Sequence, residues 1–192
     1  MNEINQKKPR LLDVGAGFGE LFIDRAKAEP NKNFIVFEPL GFPDQELPEN
    51  LTWIKGRLTD QESLPFQDGS IDGVILNFSL STIYADYSGP DQEFGEYLQK
   101  ILTGVLRVLK DGGEMVIREE RGFCLNILEP GLNGLGVDFV ITPAKEQDLS
   151  LTGQEMLADY YFDPEKNHDS LPLQVVISKT GFAGSANPQK SQ

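Results

Sequence analysis

Cysteine, histidine and positively charged side chains are all scarce in this chain of 192 residues. The one cysteine, Cys124, cannot form an internal disulfide, and together with the one histidine, His168, it supplies too few nitrogen and sulfur ligands for a typical metal site. Seventeen basic residues face thirty acidic ones, and the formal net charge is -13. A long anionic polymer would therefore meet a repulsive average field. The composition disfavours disulfides, bound metal, DNA and bulk RNA.

Long apolar runs are missing as well. No stretch approaches the roughly 20 apolar residues that span a bilayer, and the N-terminus lacks the basic start and apolar core of a secretory signal. We therefore expect a cytoplasmic protein that does not bind membranes. The length suits one domain, which we place at 1–180, and the small, polar residues 181–192 are expected to form a flexible tail. The sequence leaves the oligomeric state open.

Segments rich in β-branched and apolar residues alternate with segments of helical period. A first strand is predicted at 10–14, and it runs directly into the glycine-rich turn Gly15-Ala16-Gly17-Phe18-Gly19. A short amphipathic helix is predicted at 20–28 and an apolar strand at 34–37. The order strand, glycine turn, helix, strand is typical of a βαβ unit with parallel strands.

The remainder of the chain continues this alternation. It predicts strands at 52–55, 71–78 and 114–118, an amphipathic helix at 93–109 that stops at Asp111-Gly112-Gly113, a short irregular helix at 125–135, and a closing antiparallel pair of strands at 137–142 and 173–178. The stretch 143–171 follows no legible pattern. The sequence therefore predicts an α/β fold with a Rossmann-like, doubly wound and mostly parallel sheet that ends in a C-terminal antiparallel strand.

Two features near the first βα turn point to an adenosine-containing ligand. Gly15, Gly17 and Gly19 leave the turn without side chains, so that a ligand can approach the backbone closely. Glu38 stands about twenty residues further on, at the end of the next strand, where an acid can accept both hydroxyls of a ribose. A glycine turn alone is also explained by tight packing, but the acid at this distance favours an adenosyl ligand.

The glycine spacing distinguishes between two adenosyl ligands. Dinucleotide sites use G-x-G-x-x-G, so that a pyrophosphate rests on the helix N-terminus. Here the third glycine, Gly19, comes one residue early and Glu20 takes the place of the last glycine. A carboxylate at a helix start repels a pyrophosphate and suits a ligand with a cationic sulfonium and ammonium. The spacing therefore favours S-adenosylmethionine over NAD.

The chain resembles the class I S-adenosylmethionine-dependent methyltransferases over residues 11–179. The match consists of four blocks in family order: Leu-Leu-Asp-Val-Gly-Ala-Gly-Phe-Gly-Glu at 11–20, Phe-Ile-Val-Phe-Glu-Pro at 34–39, Leu-Pro-Phe-Gln-Asp-Gly-Ser-Ile-Asp at 64–72 and Val-Leu-Arg-Val-Leu-Lys-Asp-Gly-Gly at 105–113. Any single block could arise by chance, but four at the family's spacing make a strong resemblance.

The resemblance implies roles for individual residues. The methionine part of the cofactor would be lined by the first motif, Glu38 would hold the ribose, and Leu40 would flank the adenine together with Pro39. The first-motif positions so implied are Asp13, Gly15, Ala16, Gly17 and Gly19.

Three further positions follow from the same resemblance. An acid near the third block often meets the adenine amino group in this family, and either Asp60 or Arg57 occupies that position, depending on how the loop is aligned. Asn77 and Phe78, at the end of the fourth strand, fall where relatives contact the methionine end and admit the acceptor, although Phe78 is equally explained as a core residue.

A catalytic base is not indicated. The chain has no Asn-Pro-Pro-Tyr run after the fourth strand and no paired catalytic cysteines, and His168 lies in a polar stretch. Tyr84 and Tyr87 are candidates for the acceptor pocket, but a surface turn ending at Gly89-Pro90 explains them equally well. A good nucleophile needs only positioning and desolvation for methyl transfer, so a base is optional.

The segment before the first strand departs from the family. Only about nine polar residues precede that strand, whereas many relatives place helices there to cover the active site. We expect an open pocket, or one covered by residues 82–92 and 143–168, or one completed by a partner.

The sequence is best explained by a methyltransferase that uses S-adenosylmethionine to modify an unidentified small-molecule or peptide nucleophile. One alternative is a non-catalytic module that keeps the fold and the cofactor site to bind a partner, because neither a cover nor a base is indicated. Another is a tRNA methyltransferase, which Gly-Phe-Gly-Glu at 17–20 with Asn-Phe-Ile at 33–35 suggests and the acidic composition opposes.

Overall fold

A computed structural model describes residues 8–17, 19–42, 45–59, 64–144 and 172–179, apart from the side chains of residues 91 and 92. These residues form a seven-stranded sheet with helices packed against it. The strands are β1 (Arg10–Val14), β2 (Asn33–Glu38), β3 (Leu51–Lys55), β4 (Ile71–Asn77), β5 (Leu109–Glu119), β6 (Phe139–Pro143) and β7 (Leu173–Ser178).

The strand order in the sheet is β3-β2-β1-β4-β5-β7-β6. Strands β1 to β5 pair in parallel, and β7 pairs antiparallel with both β5 and β6. The chain leaves β1 toward β2 on one side and later returns to place β4 on the other side, which makes the end of β1 a topological switch point. Ligands of open α/β sheets bind at the carboxyl ends of the strands at this point. The predicted α/β class, with its C-terminal antiparallel strand, is confirmed.

Helices connect the parallel strands and cover the sheet. They are α1 (Glu20–Ala28), α2 (Ser79–Asp86), α3 (Asp91–Val108), α4 (Arg121–Phe123) and α5 (Glu129–Leu135), with a π-helical turn at Cys124–Leu128 between the last two. No helix among the described residues is long and apolar enough to cross a membrane.

The strand side chains alternate between two separate apolar clusters, one on each face of the sheet. On β2, Phe34 and Val36 belong to the smaller cluster with α1, whereas Ile35 and Phe37 belong to the larger cluster with α2, α3 and α5. Successive residues of a strand point to opposite faces, so a strand that is apolar throughout is buried on both sides. This burial explains why the sequence of β2 is continuously apolar.

The sequence left the structure after β4 open, and one prediction about local structure is wrong. Residues Ser79–Asp86 form helix α2, so Tyr84 lies on a helix and not in a surface turn. The long helix ends at Val108 and a strand begins at once at Leu109, whereas Asp111-Gly112-Gly113 was expected to end the helix. Tertiary pairing explains this difference, because Leu109 pairs with Ile71 of β4 and Gly113 lies close against that strand, with Asp72 O 2.9 Å from where a Cβ would stand.

Candidate active site

The glycine turn after β1 has a backbone that only glycine adopts readily. Gly15, Gly17 and Gly19 have φ angles of 71°, 58° and 70°, in the left-handed region that side chains disfavour. Gly15 N donates a hydrogen bond to Phe37 O of β2 at 2.9 Å, and Gly19 N donates to Ala16 O at 2.9 Å. The turn is thus fixed both to the neighbouring strand and within itself.

The three glycines have different surroundings. A Cβ on Gly15 would lie 2.7 Å from Ser79 Oγ, and a Cβ on Gly19 would lie 2.5 Å from the Trp53 ring. A Cβ on Gly17 would meet no described atom within 4 Å. Packing therefore requires glycine at the first and third positions, whereas Gly17 faces open space that a ligand can use.

Glu38 lies at the carboxyl end of β2, next to this turn. Its side chain is buried, and each carboxylate oxygen accepts one backbone hydrogen bond: Oε2 from Gly17 N at 2.8 Å and Oε1 from Leu40 N at 3.0 Å. Since a carboxylate has about four acceptor positions, two remain for a ligand. The two backbone donors hold the acid in one orientation at the edge of the sheet.

A cavity of about 410 Å³ opens at this edge of the sheet. Its wall has a strand side and a helix side. The strand side is formed by the ends of β1, β2 and β3, and the helix side is one face of α2. The lining residues are Val14, Gly15, Gly17, Phe37, Glu38, Pro39, Leu40, Gly56, Arg57, Leu58, Ser79, Thr82, Ile83 and Asp86. Cavities of this size hold drug-sized ligands and cofactors.

Helix α2 is held over the end of β1 by a buried serine. Ser79 Oγ donates to Val14 O at 2.6 Å and also lies 3.3 Å from Gly15 O. The helix begins after Phe78, whose φ of 51° is the one positive value outside glycine among the described residues. Such a backbone is strained for a bulky residue. The sharp change of direction at Phe78 places the helix against the cavity.

Asp13 directly precedes Val14 of the cavity wall but does not itself line the cavity. It is buried, and its Oδ1 has no hydrogen-bond partner among the described residues. Burial raises the pKa of Asp13 to about 7, with Arg118 lowering it and Glu38 raising it through their charges. A further cation close to Asp13 would favour the ionised form of this carboxyl, as the charges of Arg118 and Arg25 already do.

The structure brings together only some of the residues that the sequence analysis singled out. Gly15, Gly17, Glu38 and Pro39 line the cavity, whereas Asp13, Ala16 and Gly19 do not. Ala16 packs against the smaller apolar cluster, and Gly19 lies against the Trp53 ring of the same cluster. Asn77 does not line the cavity, and its Oδ1 accepts a hydrogen bond from Arg118 Nη1 at 3.2 Å. Phe78 precedes α2 and is likewise absent from the cavity wall. The roles given to these residues stay predictions.

Of the two candidates for the adenine contact, only Arg57 is among the described residues. Asp60 lies outside the described residues, as does His168. Arg57 lines the cavity and forms an ion pair with Asp86 at the end of α2. Both side chains are more than half exposed, at 59% and 58%. Arg57 thus connects the loop after β3 with the far end of α2.

The tyrosines after β4 pack inward. Tyr84 and Tyr87 stack edge to face on Phe94, with ring centroids 4.7 and 5.2 Å apart, and both contact the larger cluster. Neither lines the main cavity. Thr82, Ile83 and Asp86 line the cavity, which agrees with one of the three alternatives for the pocket, namely cover by two segments. Residues 145–168 of the other segment lie outside the described part.

The sequence analysis does not predict helix α2 or a role for Ser79, although it names residues 82–92 as one alternative for the cover. The helix supplies Ser79, Thr82, Ile83 and Asp86 to the wall. One pattern pointed to this helix. Leu80, Ile83, Tyr84 and Tyr87 recur at three- and four-residue spacing, which is typical of one helix face. All four pack on the larger cluster.

The comparisons with known proteins agree with this architecture. A family model described as "Methyltransferase domain" matches residues 12–117. A tRNA (guanine-N(7)-)-methyltransferase of Lacticaseibacillus casei is 34% identical over 87 residues, which is 41% of this chain and 40% of that protein. The ubiquinone/menaquinone biosynthesis C-methyltransferase UbiE of a Geobacter species is 29% identical over 119 residues, or 57% and 45%. The chain thus matches less than half the length of each relative.

Solved structures show the same fold at low sequence identity. The 16S rRNA methyltransferase KamB has a TM-score of 0.64 and 11% identity, with 91% of this chain and 89% of that chain covered. A TehB-like methyltransferase from Corynebacterium glutamicum has a TM-score of 0.61 and 15% identity, with 91% and 82% covered. At this identity the likeness establishes the architecture alone.

The sheet order, the glycine turn and the family match together define a class I S-adenosylmethionine-dependent methyltransferase domain. The family model covers more than half of the chain, and the chain belongs to the methyltransferase domain family. The methyl donor of this class is S-adenosylmethionine, which confirms the family and cofactor predicted from the sequence.

Proposed function

We propose that this chain transfers a methyl group from S-adenosylmethionine to a small-molecule or peptide nucleophile. The observation that carries the proposal is Glu38, a buried carboxylate fixed by two backbone donors on the wall of a cofactor-sized cavity. Its remaining acceptor positions suit the two hydroxyls of a ribose.

The residues around Glu38 fit the other parts of an adenosyl ligand. Leu40 is 78% exposed although it lines the cavity, and it offers an apolar surface to a flat base. Gly17 leaves room for close approach to the backbone. Asp13 is a buried carboxyl two residues before Gly15, its Oδ1 has no hydrogen-bond partner among the described residues, and in its ionised form it would favour the ammonium group of the methionine tail.

When bound, S-adenosylmethionine supplies an electrophilic methyl group on a positively charged sulfur. The chain's own contribution is to orient and to desolvate. Glu38 would accept hydrogen bonds from the ribose, and Ser79 holds α2 over the turn so that Thr82 and Ile83 close one side of the cavity to water. No proton transfer is needed within these residues if the acceptor arrives as a good nucleophile.

The charges at the cavity favour a small or peptide acceptor over a nucleic acid. Glu38, Arg57 and Asp86 are the charged residues of the described wall, and Arg57 is already paired with Asp86. The wall is therefore net negative, in line with the chain's overall charge of -13. RNA phosphates require unpaired basic groups, which this wall does not supply.

Substitution of Glu38 tests the cofactor site. We expect Glu38→Ala to weaken S-adenosylmethionine binding by roughly 1.5 to 3 kcal/mol, because charge-assisted hydrogen bonds to the ribose are lost. Isothermal titration calorimetry with S-adenosylmethionine and S-adenosylhomocysteine measures the change. Glu46→Ala, which removes an exposed carboxylate, serves as the matched control and should bind as the unaltered chain does.

Two outcomes would oppose the proposal. Unchanged affinity in a folded Glu38→Ala variant would contradict the proposed contact between Glu38 and the ribose. Binding of NAD without any response to S-adenosylmethionine would contradict the proposed cofactor. Glu38→Gln keeps an acceptor for the turn and shows whether a loss in the alanine variant comes from misfolding. A broad screen of acceptors for methylated product then separates an enzyme from a purely binding module.

A second candidate function is tRNA methylation, which the relatives favour. Proteins named tRNA (guanine-N(7)-)-methyltransferase from three bacteria match at 30 to 39% identity over 82 to 87 residues. The test is a gel shift with bulk tRNA at physiological salt, together with transfer of labelled methyl groups to that tRNA. We expect neither binding nor transfer, and clear transfer would replace the small-molecule proposal.

A further inference from the structure

Helix α2 begins without a cap of its own. The residue before it is Phe78, whose side chain has no acceptor, and no side-chain hydrogen bond caps the helix from this position. The first N–H groups of a helix lack partners within the helix, and leaving them unpaired away from water is unfavourable. An acceptor must therefore come from elsewhere in the fold.

That acceptor is Glu119, the last residue of β5. Its Oε1 accepts hydrogen bonds from Leu80 N at 2.8 Å and Ser81 N at 3.3 Å. Glu119 lies 39 positions after Leu80 in the sequence. The two residues meet because β4 and β5 are parallel neighbours whose carboxyl ends lie at the same edge of the sheet. Glu119 thus acts as an N-cap supplied by another element.

The surroundings of Glu119 are unusual for a residue that only stabilises a core. The side chain is 0% exposed, and its second oxygen, Oε2, has no hydrogen-bond partner among the described residues. Burial raises the pKa of Glu119 to about 7, and the hydrogen bonds from Ser81 and Leu80 oppose that rise. A buried carboxyl with an unpartnered oxygen is costly.

We attribute the cost of burying the Glu119 carboxyl to the place of α2 in the cavity wall. Ser79, Thr82, Ile83 and Asp86 of this helix form the helix side of the cofactor cavity. Leu80, between them in sequence, is fully buried. A shift of the first turn would move the wall of the cavity and the serine that stands over Gly15.

We propose that Glu119 is a positioning residue for methyl transfer, which caps α2 from β5 and thereby seats the helix that walls the cofactor cavity. It acts through α2 and does not line the cavity. The inference rests on the proposed function for the identity of the ligand. The tether itself, by which we mean the hydrogen bonds from Leu80 N and Ser81 N to Glu119, can be measured on the chain without any ligand.

The first experiment measures amide hydrogen exchange by NMR in the ligand-free chain. Glu119→Leu removes the acceptor while keeping an apolar side chain of similar size, and Glu119→Gln keeps an acceptor that cannot ionise. We expect the leucine variant to lose at least about tenfold in protection at Leu80 and Ser81. Amides of β1 and β2 should keep their protection, which shows that the fold is intact. Glu120→Gln, at an exposed neighbouring position, should change nothing.

The second experiment measures ligand binding by the same four proteins, which are the unaltered chain and the variants Glu119→Leu, Glu119→Gln and Glu120→Gln. We expect Glu119→Leu to weaken S-adenosylhomocysteine binding about tenfold by calorimetry, Glu119→Gln to restore binding to within about threefold, and the Glu120→Gln control to bind normally. Where turnover is measurable, the loss should lie in KM for the cofactor more than in kcat.

The outcomes separate the two proposals. Equal protection of Leu80 and Ser81 in the leucine variant and the unaltered chain would overturn the tether, whatever the ligand. If the leucine variant loses protection at Leu80 and Ser81 but binds S-adenosylhomocysteine as before, then Glu119 caps α2 but is not a positioning residue. If no protein binds S-adenosylmethionine or its product, then the proposed function fails and the exchange data still judge the tether.

Discussion

At the scale of single residues, the glycine turn shows that one backbone conformation can have different causes. Gly15, Gly17 and Gly19 all have positive φ angles, but only Gly17 has open space where a side chain would stand. The first and third glycines are required by packing against Ser79 and Trp53. Packing within the protein therefore constrains Gly15 and Gly19, and we expect a bound ligand to constrain Gly17.

Gly17→Ala tests this difference. We expect a loss of about 1 to 2 kcal/mol in the free energy of unfolding, because alanine disfavours the left-handed conformation. We also expect S-adenosylhomocysteine to bind at least about tenfold more weakly, because the new methyl group occupies the cavity. Urea unfolding and calorimetry measure the two effects.

Gly112→Ala is the matched control for that substitution. Gly112 has a φ of 77° and, like Gly17, no heavy atom of the described residues within 4 Å of its missing Cβ, but it does not line the cavity. The control should lose similar stability and keep its affinity. Equal affinity of both variants would show that the turn does not face the ligand.

At the scale of secondary-structure elements, α2 is attached at both ends by different kinds of contact. Its first turn is held by Glu119 and Ser79, which are buried. Its last residue, Asp86, is held by Arg57 in an exposed ion pair. Buried hydrogen bonds typically contribute more to stability than exposed ion pairs, which water and salt screen. The helix is therefore fixed more firmly at its start than at its end.

A double-mutant cycle on Arg57 and Asp86 checks the weaker end. Because both side chains are more than half exposed, we expect a coupling free energy of no more than about 0.2 to 1 kcal/mol for Arg57→Ala and Asp86→Ala, falling as salt is added. Thermal unfolding of the four proteins at low and high salt gives the value. A coupling above about 2 kcal/mol, or one insensitive to salt, would contradict an exposed ion pair.

At the scale of the whole molecule, two buried carboxyls link folding to pH. Burial raises the pKa of both Asp13 and Glu119 to about 7, from ordinary values near 4. The folded chain therefore keeps these protons at pH values where the unfolded chain has released them. Their contribution to stability is present below about pH 4 and is lost as the pH rises through about 7.

Glu119→Gln isolates one of these two contributions. The quantity to follow is the free energy of unfolding of the unaltered chain minus that of the variant. We expect this difference to decline by on the order of 3 kcal/mol between about pH 4.5 and pH 7.5, and then to level off. The nearby Glu120 adds to the shift through its charge, so Glu120→Gln should reduce the decline slightly. Denaturant unfolding across this pH range gives the curves, and parallel curves for the chain and the Glu119→Gln variant would contradict the raised pKa.

The sequence by itself determined the features that depend on neighbouring residues. Strands β1 and β7 and helix α1 have the predicted bounds, because their apolar periodicity and the glycine turn act over a few residues. Glu38 was identified as a candidate ribose contact because the end of β2 is a fixed distance along the chain from the turn. The family and its cofactor followed from the order and spacing of the same local motifs.

The tertiary structure alone decided how distant segments share the site. Ser79 over Gly15, Glu119 at the first turn of α2 and Arg57 beside Asp86 join residues that are 29 to 64 positions apart. Such contacts depend on which strands become neighbours in the sheet, which no local pattern encodes. The physical reason is the parallel sheet, which gathers the carboxyl ends of β1, β2, β4 and β5 at one edge and so assembles a cavity from separate parts of the chain.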